Sequence, residues 1–156
     1  MAFTAYSAEF QKEKTARSQG HELHVSPRHC VEICRELRGR SLVGAKSHLE
    51  AITKMKTPVP FKRHSSGVGH RAGMRGWDAG RYPQKAAREI LTVVRNAEAN
   101  AEYQGLDTER MLVVHCLARS GRVTEGRMPR AMGRATAKNT DTVTVEIVLQ
   151  ELTNGD

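Results

Sequence analysis

Arg119–Lys138 reads RSGRVTEGRMPRAMGRATAK. It holds six Arg/Lys, a single acid (Glu125), and almost nothing that could fill a core. Two strand-like runs flank it, MLVVHCLAR (Met111–Arg119) and TVTVEIVLQ (Thr142–Gln150). In the second run Val143, Val145, Ile147 and Leu149 alternate with Thr142, Thr144, Glu146 and Val148, the pattern of a strand with one face on the core. The first run alternates less cleanly. Placing Val113 opposite Val148 puts the turn between residues 130 and 131 and the tip near Pro129–Met132. Each arm, from Arg119 to Arg130, then spans about 35–40 Å at ~3.3 Å per residue. A two-stranded ribbon of that length is marginal in water and requires an outside surface. Its cations say that the surface is negative. The planar fork of arginine suits phosphates and stacks on bases, so Arg119, Arg122, Arg127, Arg130, Arg134 and Lys138 are candidate polyanion contacts. Met128 and Met132 flank Pro129 at the tip, where nothing in the sheet could cover them.

The rest of the chain agrees. Its 156 residues suffice for one domain with one core, and with 38% hydrophobic residues that core is modest. The formal charge is +8 and its distribution is uneven. Residues 62–81 carry five bases against one acid, and residues 82–110 carry four against five. A solubility surface intersperses its signs, whereas a patched basic surface binds polyanions. No apolar run approaches the ~20 residues of a membrane span, and the N-terminus lacks the apolar core of a secretory signal. Three cysteines do not make a disulfide framework, so the chain reads as cytoplasmic with reduced thiols.

Residues 1–20 read as an extended arm whose Arg17 is a candidate RNA contact, with a short strand at Glu22–Val25. Ser26-Pro27 opens a helix, RHCVEICRELR, that Gly39 closes. Its apolar side holds Cys30, Val31, Ile33, Cys34 and Leu37; Arg28, Glu32, Arg35 and Glu36 fall on the polar side. Ser41 starts a second helix with Leu42, Ala45, Leu49, Ile52 and Met55 at helical spacing, and Pro58 and Pro60 stop it. A third helix runs over Gln84–Tyr103 with Ala86, Ile90, Val94, Ala97 and Ala101 as a narrow stripe of small and branched residues. Residues 21–118 and 139–150 form the globular part, 119–138 the hairpin and 151–156 a tail.

Between Phe61 and Pro83 lies a glycine-rich basic loop, FKRHSSGVGHRAGMRGWDAGRYP. A loop this long in a compact domain is functional or disordered. Lys62, Arg63, His64, His70, Arg71, Arg75 and Arg81 are candidate phosphate contacts, and Trp77 and Tyr82 candidate stacking platforms. Two readings stay open for Trp77: a base platform, or the plug of a small satellite core. GVGHRAG has one residue too many for a dinucleotide fingerprint and sits between neither strand nor helix. Cys30 and Cys34 lack the second ligand pair that a metal site needs. No nucleophile elbow or acid–base pair stands out, so neither cofactor, metal nor catalysis is expected.

The segments SPRHCVEICRELRG, TPVPFKRHSSGVGHRAGMRGWDAGRYPQKAA, NAEANAEYQGLD and GRMPRAMGRATAKNTDTVTVEIVL together resemble the archaeal and eukaryotic branch of the large-subunit ribosomal protein twenty-two family, over about residues 12–150. The resemblance implies an α+β fold, with three helices packed on a small antiparallel three-stranded sheet and a long protruding β-hairpin. It implies a structural protein of the cytoplasmic large subunit. The partners implied are large-subunit rRNA, neighbouring ribosomal proteins and the nascent polypeptide, with no membrane. The tunnel-lining tip it implies is Met128, Pro129, Arg130, Ala131, Met132, Gly133 and Arg134, and it adds Arg28 to the RNA contacts. The alternatives from the residues themselves are a free-standing RNA-binding or RNA-chaperone module, and a Cys/His metalloprotein.

Overall fold

A computed structural model describes residues 6–10, 14–74 and 76–152. Three strands form the main sheet, in the order β1 (Thr15–Leu23), β7 (Thr140–Glu151), β4 (Met111–Thr124), with both pairings antiparallel. Three helices supply the other layer: α1 (Pro27–Leu37), α2 (Leu42–Thr53) and α3 (Gln84–Tyr103). α3 packs on β1 and β7, α1 on β4 and β7, and α2 against α3. Val143, Val145, Ile147 and Leu149 of β7 are fully buried against Cys30, Ile33, Leu37, Ile90, Val94 and Ala97. The fold is α+β, as the resemblance implies.

The helix signals behave as their chemistry predicts except at Ser26, which sits at the N-cap of α1 but makes no side-chain capping hydrogen bond. Pro27 occupies the first turn of α1, and Gly39 follows its end with φ +79°. The Ser41 hydroxyl accepts the Gly44 N–H at 3.2 Å and caps α2. Met55 leaves the stripe expected of it. α2 ends at Thr53, and Met55 lies beyond with φ +55° and 58% exposure. Glu32 also departs from its expected solvent face, being 1% exposed.

The edge strand β1 begins at Thr15, not at Glu22, so residues 15–20 belong to the sheet rather than to an arm. Its polar sequence hid it. Ala16 and Ser18 are buried, and a Cβ on Gly20 would come within 2.7 Å of Val93 Cγ2 on α3. Small residues here let the helix lie close on the strand. The Asn100 side chain seals the contact by donating to the Arg17 carbonyl at 2.8 Å.

The β4–β7 register carries two irregularities, between Val113 and His115 and between Ser120 and Val123. Each puts an extra residue on β4, a β-bulge. Val113 therefore pairs with Leu149, not Val148, and Thr124 pairs with Thr140. Two short strands continue the ribbon, β5 (Arg127–Pro129) and β6 (Ala135–Ala137), with Arg127 opposite Ala137. The turn falls at Ala131–Gly133, one to two residues beyond the position expected from an unbulged ladder. The Arg130 N–H donates to the Arg134 carbonyl at 2.8 Å, and Met132 and Gly133 have φ of 60° and 66°.

Candidate nucleic-acid interface

Beyond Gly121 the hairpin leaves the domain. The second bulge marks that point: the Thr142 hydroxyl donates to the Arg122 carbonyl at 2.6 Å, and a Cβ on Gly121 would lie 2.6 Å from that hydroxyl. From Arg122 to Asp141 every residue is exposed except half-buried Gly126. β5 and β6 pair only with each other. The side chains of Arg122, Arg127, Arg134 and Lys138 have no hydrogen-bond or ion-pair partner among the described residues, and Arg130 Nε only grazes Thr136 Oγ1 at 3.5 Å. Met132 is 92% exposed and Met128 is 43% exposed, so both methionines of the tip stand in solvent. A hollow of about 620 Å³ runs along the ribbon, lined by Gly126, Arg127 and the small residues of β6.

Arg119 and Arg17 differ from this set. Arg119 donates to Glu146, a carboxylate with no exposed surface at the centre of the sheet. Glu146 also accepts from the Ser7 N–H at 3.0 Å, the Ser7 hydroxyl at 2.7 Å and the Gln19 amide at 3.3 Å. Burial alone would raise its pKa; the bonds from Ser7 and the Arg119 cation outweigh that and hold it below the ordinary carboxylate value. Arg17 Nη2 donates to the Phe10 carbonyl at 2.5 Å, and its guanidinium lies 5.7 Å from the Tyr6 ring centroid. Arg17 therefore ties β1 to residues 6–10, and Arg119 ties β4 to β7.

The basic loop is built rather than slack. Val59–Pro60 (β2) pairs with Gly80–Arg81 (β3), His70 bridges Ala79, and the Phe61 N–H donates to the Ala79 carbonyl at 3.0 Å. Trp77 Nε1 donates to the Phe61 carbonyl at 3.0 Å, and the ring is half-buried. Of the two readings of Trp77, the satellite core is the one this geometry matches. Arg71 lies 5.8 Å from the Tyr82 ring centroid and Arg81 lies 5.9 Å from that of Phe61. Lys62, Arg63, His70, Arg71 and Arg81 are exposed, and His64 is half-buried. Arg75 lies outside the described residues.

Loop, helix and hairpin meet at one place. A hollow of about 640 Å³ at the base of the hairpin is lined by Arg28 of α1, Arg63 and His64 of the loop, and Ser120 and Asp141 of the two strands. Charge patterning pointed to the cations but not to Ser120 or Asp141, which the β4–β7 pairing brings alongside. His29, beneath the loop, packs edge-on against Phe61 at 5.4 Å, and burial with the nearby Arg81 charge lowers its pKa.

The three thiols take no part. Cys30, Cys34 and Cys116 are free and fully buried, and burial pushes Cys30 up to about 12. No group of three or more His, Cys, Asp or Glu among the described residues could hold a metal ion. No helix among them is long and apolar enough to cross a membrane.

Fold and surface define a small α+β domain that extends a cationic finger with no support of its own. The chain belongs to the family described as ribosomal protein L22p/L17e, whose model matches residues 18–150. It is 51% identical to the large ribosomal subunit protein uL22 of Methanocella arvoryzae, over 97% of this chain and 99% of that one. It is 50% identical to the protein of the same name from Archaeoglobus fulgidus, over 94% of each chain. With that of Methanosphaera stadtmanae it shares 52% identity, over 89% of this chain and 90% of the relative. The chain is a ribosomal protein of the large subunit, a structural component of the translation machinery.

Proposed function

We propose that this chain holds large-subunit rRNA together through its cationic hollow, loop and finger, and that the finger's tip forms part of the wall of the nascent-chain exit tunnel. It acts by binding and shaping, not by catalysis. One observation carries the reading. Twenty consecutive residues, Arg122–Asp141, form a ribbon exposed throughout except at half-buried Gly126, and the side chains of Arg122, Arg127, Arg134 and Lys138 have no partner among the described residues. A ribbon of this kind needs a surface on both sides, and folded RNA provides one lined with phosphate. Phosphate contacts supply affinity, and the shape of the folded RNA supplies specificity. Arg28, Lys62, Arg63, His64, His70, Arg71, Arg81, Arg122, Arg127, Arg130, Arg134 and Lys138 are the contacts proposed, while Arg17 and Arg119 serve the sheet.

The test is a photo-crosslinking amino acid at Met132 in a chain assembled into ribosomes. Expected are crosslinks to large-subunit rRNA, and to nascent polypeptides once these are long enough to reach the tip. Sedimentation of the tagged chain away from the large subunit, with crosslinks to other RNAs only, would favour a free-standing RNA-binding module instead.

A further inference from the structure

We propose that Glu32, which is no part of the cationic surface, is the positioning residue of the hollow at the hairpin base. Glu32 holds Arg63 and His64 opposite Arg28 so that the three grip an RNA phosphate. The inference rests on the rRNA-binding reading and names how one of its contact sites is set.

Glu32 lies one turn after Arg28 on α1 and is 1% exposed. Its Oε1 accepts two consecutive backbone N–H groups, those of Arg63 and His64, each at 2.8 Å. Successive N–H groups that converge in this way form a nest for an anion. Here the anion is internal. Filling the nest from inside fixes the backbone at the start of a twenty-residue glycine-rich segment, and the Arg63 and His64 side chains line the hollow that Arg28 also lines. The other oxygen, Oε2, is buried and accepts nothing among the described residues. A carboxylate buried with one oxygen idle is a costly way to make a helix face. Its place is explained by what the bonded oxygen holds.

The physical effect is on ordering. A long arginine on a mobile loop must be immobilised when it meets a phosphate, and that entropy is subtracted from affinity. A charge-assisted anchor makes the subtraction at folding, before RNA arrives. Val59–Arg81 pairing and buried Phe61 hold the remainder of the loop, so loss of Glu32 frees the Arg63–His64 corner without unfolding the domain. Asp141 stands on the rim of the same hollow.

Binding of the full chain to the large-subunit rRNA of its own source, measured across a range of KCl, tests this. Glu32→Ala is expected to bind roughly tenfold more weakly, with the slope of log K against log salt reduced by about one phosphate contact, ~0.7–0.9. Glu32→Gln, which keeps an accepting oxygen in place, is expected to restore most of both. Arg63→Ala is expected to cost affinity in the wild-type chain and little in the Glu32→Ala chain, a coupling that a merely structural residue would not show. Should Glu32→Ala not fold, Glu32→Asp, one methylene too short to reach both N–H groups, takes its place with the same expected loss. An unchanged slope in Glu32→Ala or Glu32→Asp, or an equal cost of Arg63→Ala in both backgrounds, overturns the proposal while leaving rRNA binding intact. A wild-type chain that does not bind the rRNA overturns both.

Discussion

Glu146 shows how much a single side chain organises. It sits at the centre of the middle strand, where an alternating pattern assigns it to solvent, yet it has no exposed surface. A buried carboxylate is tolerable only with partners, and Ser7, Gln19 and Arg119 are those partners. Arg119→Ala is expected to destabilise the chain by about 1–3 kcal/mol in urea unfolding, because it leaves Glu146 under-satisfied. Arg119→Ala combined with Glu146→Gln should recover part of that loss. The pH dependence follows from the lowered pKa. A carboxyl that binds its proton less readily folded than unfolded contributes stability above its unfolded value, 4.5, and that contribution fades as pH falls through the lower folded value. The stability–pH curve of Glu146→Gln should lack this acid-side fall. A curve that stays parallel to wild type below pH ~4.5 would remove Glu146 from the account. Glu32 and Glu146 were illegible in the sequence for the same reason. A buried acid occupies the same slot in a periodic pattern as a solvated one, and only its partners, 31 and 139 residues away in sequence, tell them apart.

At the scale of elements, legibility followed local chemistry. α1 announced itself through Ser26-Pro27 and Gly39, and α3 through its small-residue stripe, because caps and helical faces are written within a few residues. β1 did not, since Arg17, Ser18, Gln19 and Gly20 carry no strand propensity. Their place comes from pairing with residues 145–148 of β7 and from the small volume beneath α3. The hairpin was legible as a ribbon, but its register was not, because each bulge shifts the alternation of β4 by one residue, and a break in one strand does not say which residues it pairs with on the other. Gly121 is the residue on which the second bulge turns. Gly121→Val should cost about 1–3 kcal/mol, since its Cβ would fall 2.6 Å from Thr142 Oγ1 against a paired backbone. Thermal unfolding would read that cost; an unaltered midpoint would mean that the bulge relaxes freely. In the same ribbon, amides from Arg122 to Asp141 should exchange rapidly in the isolated protein, where water has free access to both faces. Contact with rRNA should slow them. Protection in the isolated chain equal to that of β7 would show that the ribbon is stable unaided.

Over the whole molecule, the core and the proposed contact surface occupy different ends of the same sheet. The apolar residues lie between the helices and β7, whereas the free cations lie at the hairpin base and beyond. Changes at the finger should therefore separate cleanly from changes in folding. Arg130→Glu with Arg134→Glu is expected to leave the unfolding free energy of the free chain within ~0.5 kcal/mol, as for other exposed substitutions. Its salt slope for rRNA should fall by about two phosphate contacts, and large-subunit assembly should suffer. A normal subunit profile in cells carrying the double variant would argue against contact at the tip. The uneven charge was legible in the sequence, because charge distribution survives errors in register.

The order of strands across the sheet has a consequence for synthesis. β7 comes last of the strands along the chain yet lies in the middle, so β1 and β4 cannot join until it has been made. While residues 140–151 are still to be translated, the preceding 139 residues have helices and two orphaned edges but no closed layer. Native structure must therefore arrive abruptly, late in translation. Until then the cationic finger hangs from an unfinished platform, and an early encounter with nucleic acid would find it attached to nothing rigid.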